Sequence, residues 1–171
     1  MIVSKNYKIL IIYLLAFLTG VNFVIIPSLS AIFTDISLFG LSSSQFGNLF
    51  IPQALCIITS SLLTPLLVNK FGPKKMLGFG ILLMLLTTAI LWATHYFIHD
   101  KSLIFSVLTI IVSILGFGFG ISITTLNPIV ADLFPKKQAS AIVIMQFLVV
   151  LGTSSLPLMV SFLKDNNHWL R

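Results

Sequence analysis

Charge is what this chain lacks. Of its 171 residues only 8% are Asp, Glu, Lys or Arg; glutamate is absent, and Asp35, Asp100, Asp132 and Asp165 are its only acids. Soluble domains carry roughly 25% charged residues. The chain therefore cannot furnish a water-facing shell, and lipid must be its solvent. A single cysteine, Cys56, excludes an internal disulfide, and its place inside an apolar run gives it a packing role. No nucleophile–base pair, zinc-ligand spacing or phosphate-cradling glycine loop occurs, so the sequence offers no enzyme chemistry and calls for no cofactor. His95 and His99 stand four apart beside Asp100, a pattern far commoner in membrane-interface residues than in metal sites, and no metal is expected. The net charge of +6 would suggest nucleic acid in a soluble protein. Here the basic residues lie at the ends of apolar runs, with no aromatic-studded basic surface, which excludes that partner.

What the chain has instead is uncharged length. Stretches of 26, 34, 24, 30 and 26 residues separate Lys8, Asp35, Lys70, then Lys75, Asp100, then Lys101, Asp132, and Lys137, Lys164. Each can hold a bilayer-crossing helix of about 20 apolar residues. The reading is an all-α membrane protein, one transmembrane domain over residues 1–171, with five helices at about Ile9–Phe33, Phe46–Val68, Met76–His95, Leu103–Ala131 and Ala139–Leu163. The first apolar run is too long for a signal-peptide core, so it is read as a span. Ser44 is placed to cap the second helix. Gly72-Pro73 and Phe134-Pro135 punctuate the chain between spans two and three and after span four. Asp132, four residues before Lys136, suggests an ion pair at the end of span four.

Polar residues recur at helical spacing inside these spans. Ser113, Gly116, Gly120, Thr124 and Asn127 share a face of the fourth, and Gly116 and Gly120 form a G-x-x-x-G that suits close helix packing. Span five carries Gln146, Thr153, Pro157 and Ser161, span two Gln53, Ser60 and Thr64, and span one Thr19 and Asn22. An amide in hydrocarbon needs a partner or a wet cavity. Asn22, Asn127, Gln146 and Thr124 are accordingly the candidates for binding a polar solute; the alternative is that the amides bond one another or backbone freed by Pro27, Pro52 and Pro128. For Gln53 that alternative is preferred.

The segment Pro65-Leu66-Leu67-Val68-Asn69-Lys70-Phe71-Gly72-Pro73-Lys74-Lys75-Met76-Leu77 resembles the loop signature of the major facilitator superfamily, roughly G-x-L-A-D-R-x-G-R-K-x-x-L. Leu67, Gly72, Lys74 and Leu77 match, Lys70 replaces the Arg conservatively, and Pro65, Asn69 and Pro73 depart from it. The resemblance implies a gating role for Asn69, Lys70, Gly72 and Lys74, although Asn69 lacks the charge of the family's Asp. Gly118, Gly120, Thr124, Asn127 and Pro128 are similar to the fucose and glucose/galactose permease branch, G-x-G-x-x-E-T-x-x-N-P. Ile123 stands where that branch keeps an acid. Gly152 and Pro157 echo a fragment of the family's fifth-helix pattern.

Taken together the resemblance implies an incomplete N-terminal six-helix half of a major-facilitator-type fold, built on inverted three-helix repeats of which the second lacks its last helix. Its expected function is alternating-access transport of a small polar solute, weakly hinted to be a sugar, with a second transporter half and the lipid bilayer as partners. The alternative is a truncated or split fragment without transport activity, acting as a membrane-embedded interaction partner.

Orientation follows from lysine and arginine. With the N-terminus in the cytoplasm, the inner segments hold Lys5, Lys8, Lys70, Lys74, Lys75, Lys136 and Lys137, and the outer ones only Lys101, Lys164 and Arg171. That asymmetry predicts an integral protein of the bacterial cytoplasmic membrane with its N-terminus inside; Trp92, Tyr96 and Phe97 then form an outer aromatic belt. Fluorescent-protein fusions after Lys75 and Lys137 should fluoresce, and a phosphatase fusion after Lys101 should be active; the reverse pattern rejects this orientation.

Overall fold

The computed structural model of the chain describes residues 5–36, 39–97 and 101–165. His99, Asp100 and the tail 166–171 lie outside the described residues, as do the side chains of His95, Tyr96 and Phe97. Among the described residues eight helices follow in order: α1 Lys5–Phe23, α2 Ile25–Ser28, α3 Ser30–Thr34, α4 Ser43–Asn48, α5 Phe50–Phe71, α6 Pro73–Phe97, α7 Lys101–Leu133 and α8 Gln138–Asp165. No strand occurs among the described residues. Five helical stretches among them are long and apolar enough to cross a membrane: Asn6–Phe23, Ser43–Phe71, Pro73–Ala93, Leu103–Leu133 and Gln138–Phe162.

Span one is not the continuous helix expected over Ile9–Phe33. It breaks at Val24 and again at Leu29. Pro27 explains the first break: proline has no N–H to offer the carbonyl four residues earlier, and its ring crowds that carbonyl. The residue concerned is Phe23, where α1 stops. Pro52 acts in the same way on Asn48, the last residue of α4. In both cases the helix resumes with proline in its first turn, where a missing N–H is harmless. The N-terminal cap of α4 is Ser42, rather than Ser44: Ser42 Oγ accepts from the Gln45 N–H at 3.2 Å, and Ser42 N–H donates to Gln45 Oε1 at 3.0 Å. Ser44 lies inside the first turn, two positions past the cap.

The chain divides into two compact units. One comprises Met1–Ser28 with Leu126–Arg171, the other Leu29–Thr125, so α7 runs from one into the other. In the first unit α1 packs on α8 through a reciprocal pair of glycines. A Cβ on Gly20 would overlap the carbonyl oxygen of Val149, and one on Gly152 would overlap that of Phe17 and come within 3.0 Å of the Val21 nitrogen. Ala16, Thr19, Met145 and Val149 are buried, whereas Leu10, Leu14, Phe147, Leu158 and Phe162 face outward. This apolar exterior is the expected surface for a helix pair in lipid.

In the second unit α7 carries glycines on two faces. A Cβ on Gly116 would lie 2.6 Å from the Gln53 carbonyl oxygen, and one on Gly120 would meet Ser60 Oγ and sit 2.8 Å from the Ile57 carbonyl oxygen, both on α5. Gly118 points to α6, where its Cβ would be 2.9 Å from the Gly80 carbonyl oxygen. Residues two apart on a helix lie about 200° apart around the axis, which is why 116 and 120 share a neighbour and 118 has another. Before α5, the loop is pinned by Gly40 N–H to Asp35 O (2.8 Å) and Leu41 N–H to Phe33 O (3.0 Å). Phe33 packs on both Phe39 and Phe46, and Phe46 on Phe50, with ring centroids 5.1–6.1 Å apart.

Gly78 is a built-in control, since a Cβ there meets nothing within 4 Å. Gly20→Ala and Gly152→Ala should each destabilise the chain by about 1–3 kcal/mol through overpacking. Gly78→Ala should instead be neutral or stabilise it by up to about 1 kcal/mol, the helix-propensity gain. Thermal unfolding of the three variants in one detergent measures the difference in sign.

Candidate amide site and the basic helix turn

No Asp, Glu, Lys or Arg lies between Ile9 and Thr34 or between Gln138 and Leu163, so polar recognition within these stretches falls to hydroxyls and amides. Asn127 stands on α7 next to Pro128, and Gln146 near the end of the third turn of α8. The structure brings them together: Gln146 Nε2 donates to Asn127 Oδ1 at 3.2 Å, and both side chains are half-buried. Mutual satisfaction of two membrane amides, the alternative to solute binding, is thus present for this pair. A single bond uses one donor and one acceptor. Each amide carries more, so Asn127 Nδ2 and Gln146 Oε1 retain hydrogen-bonding capacity.

The other two solute candidates are placed differently. Asn22, half-buried near the end of α1 in the same unit, has an interaction partner of its own. Thr124 is half-buried and belongs to the other unit. Proline at 128 withdraws the N–H that the Thr124 carbonyl would otherwise accept from. Ile123, where the resembling permeases keep an acid, is half-buried. Gln53 is 4% exposed, with its backbone and Cγ against Gly116, which is a packing position.

The basic segment is tighter than the sequence suggested. α5 continues to Phe71 and α6 begins at Pro73, so Gly72 alone links them. Its φ of 85° and ψ of 152° suit glycine, and its N–H donates to Val68 O at 2.8 Å, closing α5. Pro73 then occupies the first helical position, where its fixed φ fits. Asn69 and Lys70 therefore sit in the last turn of α5 and Lys74 in the first turn of α6, all exposed. The Lys70 ammonium lies 5.4 Å from the centroid of the Phe71 ring, a cation–π contact. At the end of α7 the expected helical pairing of Asp132 with Lys136 does not form: α7 stops at Leu133, and Lys136 lies in the turn that follows.

Sequence reasoning missed Gly20, Gly80 and Gly118 as contact positions, and Tyr13, whose hydroxyl donates to Ala141 O at 3.5 Å and whose ring stacks on Phe134. For the glycines a signal existed: an isolated glycine in an apolar span marks close backbone approach. No sequence pattern marks Tyr13.

Double-mutant cycles with Asn127→Ala and Gln146→Ala should give a coupling energy of about 0.6 kcal/mol, the usual size of an interhelical hydrogen bond in a membrane. Chemical denaturation in mixed micelles would measure it, and zero coupling would separate the two amides energetically.

Comparison with known proteins agrees with this architecture. The sequence pattern of the family described as Major Facilitator Superfamily matches residues 9–170, nearly the whole chain. No curated protein and no solved structure matches significantly. With five membrane-length apolar helices and the family's pattern running through all of them, the chain belongs to the major facilitator superfamily, an integral membrane family of secondary transporters.

Proposed function

We propose that the chain serves alternating-access transport of a small neutral polar solute, recognised at the Asn127–Gln146 pair with Asn22 as a further contributor. The observation that carries this reading is the amide pair itself, two half-buried groups joined by one 3.2 Å bond and retaining donor and acceptor capacity. Such groups suit hydroxyl-rich solutes, and a sugar is the class the similarity around Asn127 favours. The family supports secondary transport in general; a second transporter half would supply the opposing wall, since solute paths in such folds lie between repeats. Asn69, Lys70, Gly72 and Lys74 would act at the gate, with the N-terminus in the cytoplasm.

Ligand-induced thermal stabilisation across a panel of hexoses, pentoses, polyols and amino acids tests the site. A solute present at 100 times its Kd should stabilise by about 2.7 kcal/mol. Asn127→Ala and Gln146→Ala should abolish that shift; a shift retained in both would move the binding site elsewhere.

The placement of acids gives a second expectation. Asp35 follows α3, Asp132 is exposed one residue before the end of α7, and Asp165 ends α8. Proton relays in membranes use carboxylates or histidines within the spans. Asp132→Asn should therefore leave any pH dependence of uptake unchanged, and loss of that dependence at normal membrane levels would make Asp132 a coupling group.

A further inference from the structure

At the turn between α5 and α6 the structure holds a groove of about 320 Å³ lined by Leu67, Phe71, Lys75, Met76 and Phe79. Met76 forms its buried side, while Phe71 and Phe79 are about half exposed, at 48% and 46%. With a rise of about 1.5 Å per residue, the groove reaches about 6 Å along α6, from Lys75 near the end of the span to Phe79 in its apolar part. Lys75 lines it, Lys70 lies over the ring of Phe71, one of its walls, and Lys74 precedes Lys75 in the first turn of α6; all three lysines are exposed, and no acid occurs anywhere between Asp35 and Asp100.

This arrangement is unfavourable as it stands. The first turn of α6 contains two lysines and no acid, although the start of a helix carries partial positive charge and favours anions. Gly72 has no side chain with which to cap that turn. An anion seated among the lysines relieves the repulsion, and the apolar groove below gives it a tail to bind. We propose that the α5–α6 turn is a binding site for an anionic phospholipid, with its phosphate among Lys70, Lys74 and Lys75 and the first carbons of an acyl chain between Leu67, Phe71, Met76 and Phe79.

Charge and position select this occupant. A free inorganic anion would satisfy the lysines and leave the two phenylalanine rings uncovered. A second copy of the chain, docking through the same face, would set these lysines against their own counterparts, as a two-fold contact brings like surfaces together. A lipid combines negative charge with apolar length at the level of the membrane where the turn lies. Basic pockets at helix ends bind acidic headgroups on this principle, with each lysine near the surface giving roughly a fivefold gain in affinity before screening. The proposal is independent of which solute is carried.

Native mass spectrometry of the purified chain in detergent, titrated with phosphatidylglycerol and phosphatidylcholine of identical acyl chains, tests it. The wild type should bind phosphatidylglycerol on the order of tenfold more tightly. The Lys70→Gln, Lys74→Gln, Lys75→Gln triple variant should bind both lipids within about twofold of each other. Lys136→Gln with Lys137→Gln, at a basic turn elsewhere, should keep the preference, and Phe79→Ala should weaken both lipids. All these side chains are exposed, so folding is not at stake. Equal binding of the two lipids by the wild type, or a preference surviving the triple variant, overturns the proposal. Glycerol phosphate competing as tightly as the whole lipid would reveal a simple anion site, and a dimer lost in Phe79→Ala but unaffected by phosphatidylglycerol would reveal a self-association face; either result overturns it.

Discussion

In hydrocarbon no hydrophobic force draws helices together, because lipid tails are as apolar as the side chains they would replace. Close backbone approach at glycine takes its place in this chain. Gly20 and Gly152 admit each other's helix to carbonyl contact, while Gly116, Gly118 and Gly120 let α7 meet α5 on one face and α6 on the other. Side-chain positions follow from these contacts. The Gly20–Val149 contact fixes the height of α8 against α1, and Gln146 lies less than one turn before Val149 on α8. A larger residue at Gly20 would move the amide before it reached any other part of the site.

Besides Pro73, which opens α6, five prolines lie within the helices, and their consequences differ with position. Pro27 and Pro52 fall near the ends of spans, and each leaves a break just after the carbonyl it deprives. Pro65, Pro128 and Pro157 lie inside α5, α7 and α8 without ending them. At these three positions the helix continues through the proline, a common site of bending. The freed carbonyls inside α7 and α8, those of Thr124 and Thr153, fall in the polar stripes already evident in the sequence. Hydroxyls elsewhere in the spans are satisfied locally: Thr19, Thr64, Thr125 and Ser113 each donate to the carbonyl four residues back.

Much of this was legible in the sequence, for a physical reason. The bilayer imposes a length and an apolarity on each span, so five uncharged runs give five helices without tertiary information. Helix ends were read less well. The signature segment looked like a loop of several residues because Asn69, Lys70 and Lys74 are polar. Polarity there marks the membrane surface, and both helices extend beyond it to Gly72. Ser42 and Ser44 are equally plausible caps until Gln45 is seen to complete a reciprocal pair with Ser42 alone. At the candidate site, the sequence placed Asn127 and Gln146 on inward stripes. It could not say that they bond each other, since this depends on the crossing of α7 and α8.

That bond bears on how a transporter without charge inside its spans would handle a polar cargo. A carboxylate near the membrane centre costs about 2.5–3.5 kcal/mol on insertion scales and must be held by partners or neutralised by a proton. An amide pair is far less demanding. Asn127 and Gln146 satisfy each other when no solute is bound, through a bond of about 0.6 kcal/mol that an incoming hydroxyl can replace with little loss. On the proposed reading such a site would bind weakly by itself and discriminate by what it leaves unpaired: a solute lacking the expected hydroxyl would break the amide bond and return nothing for it. On the transport reading, selection for hydrogen-bonding shape and easy release on the far side follow from the same small energy. Any strong driving force must then come from outside these amides.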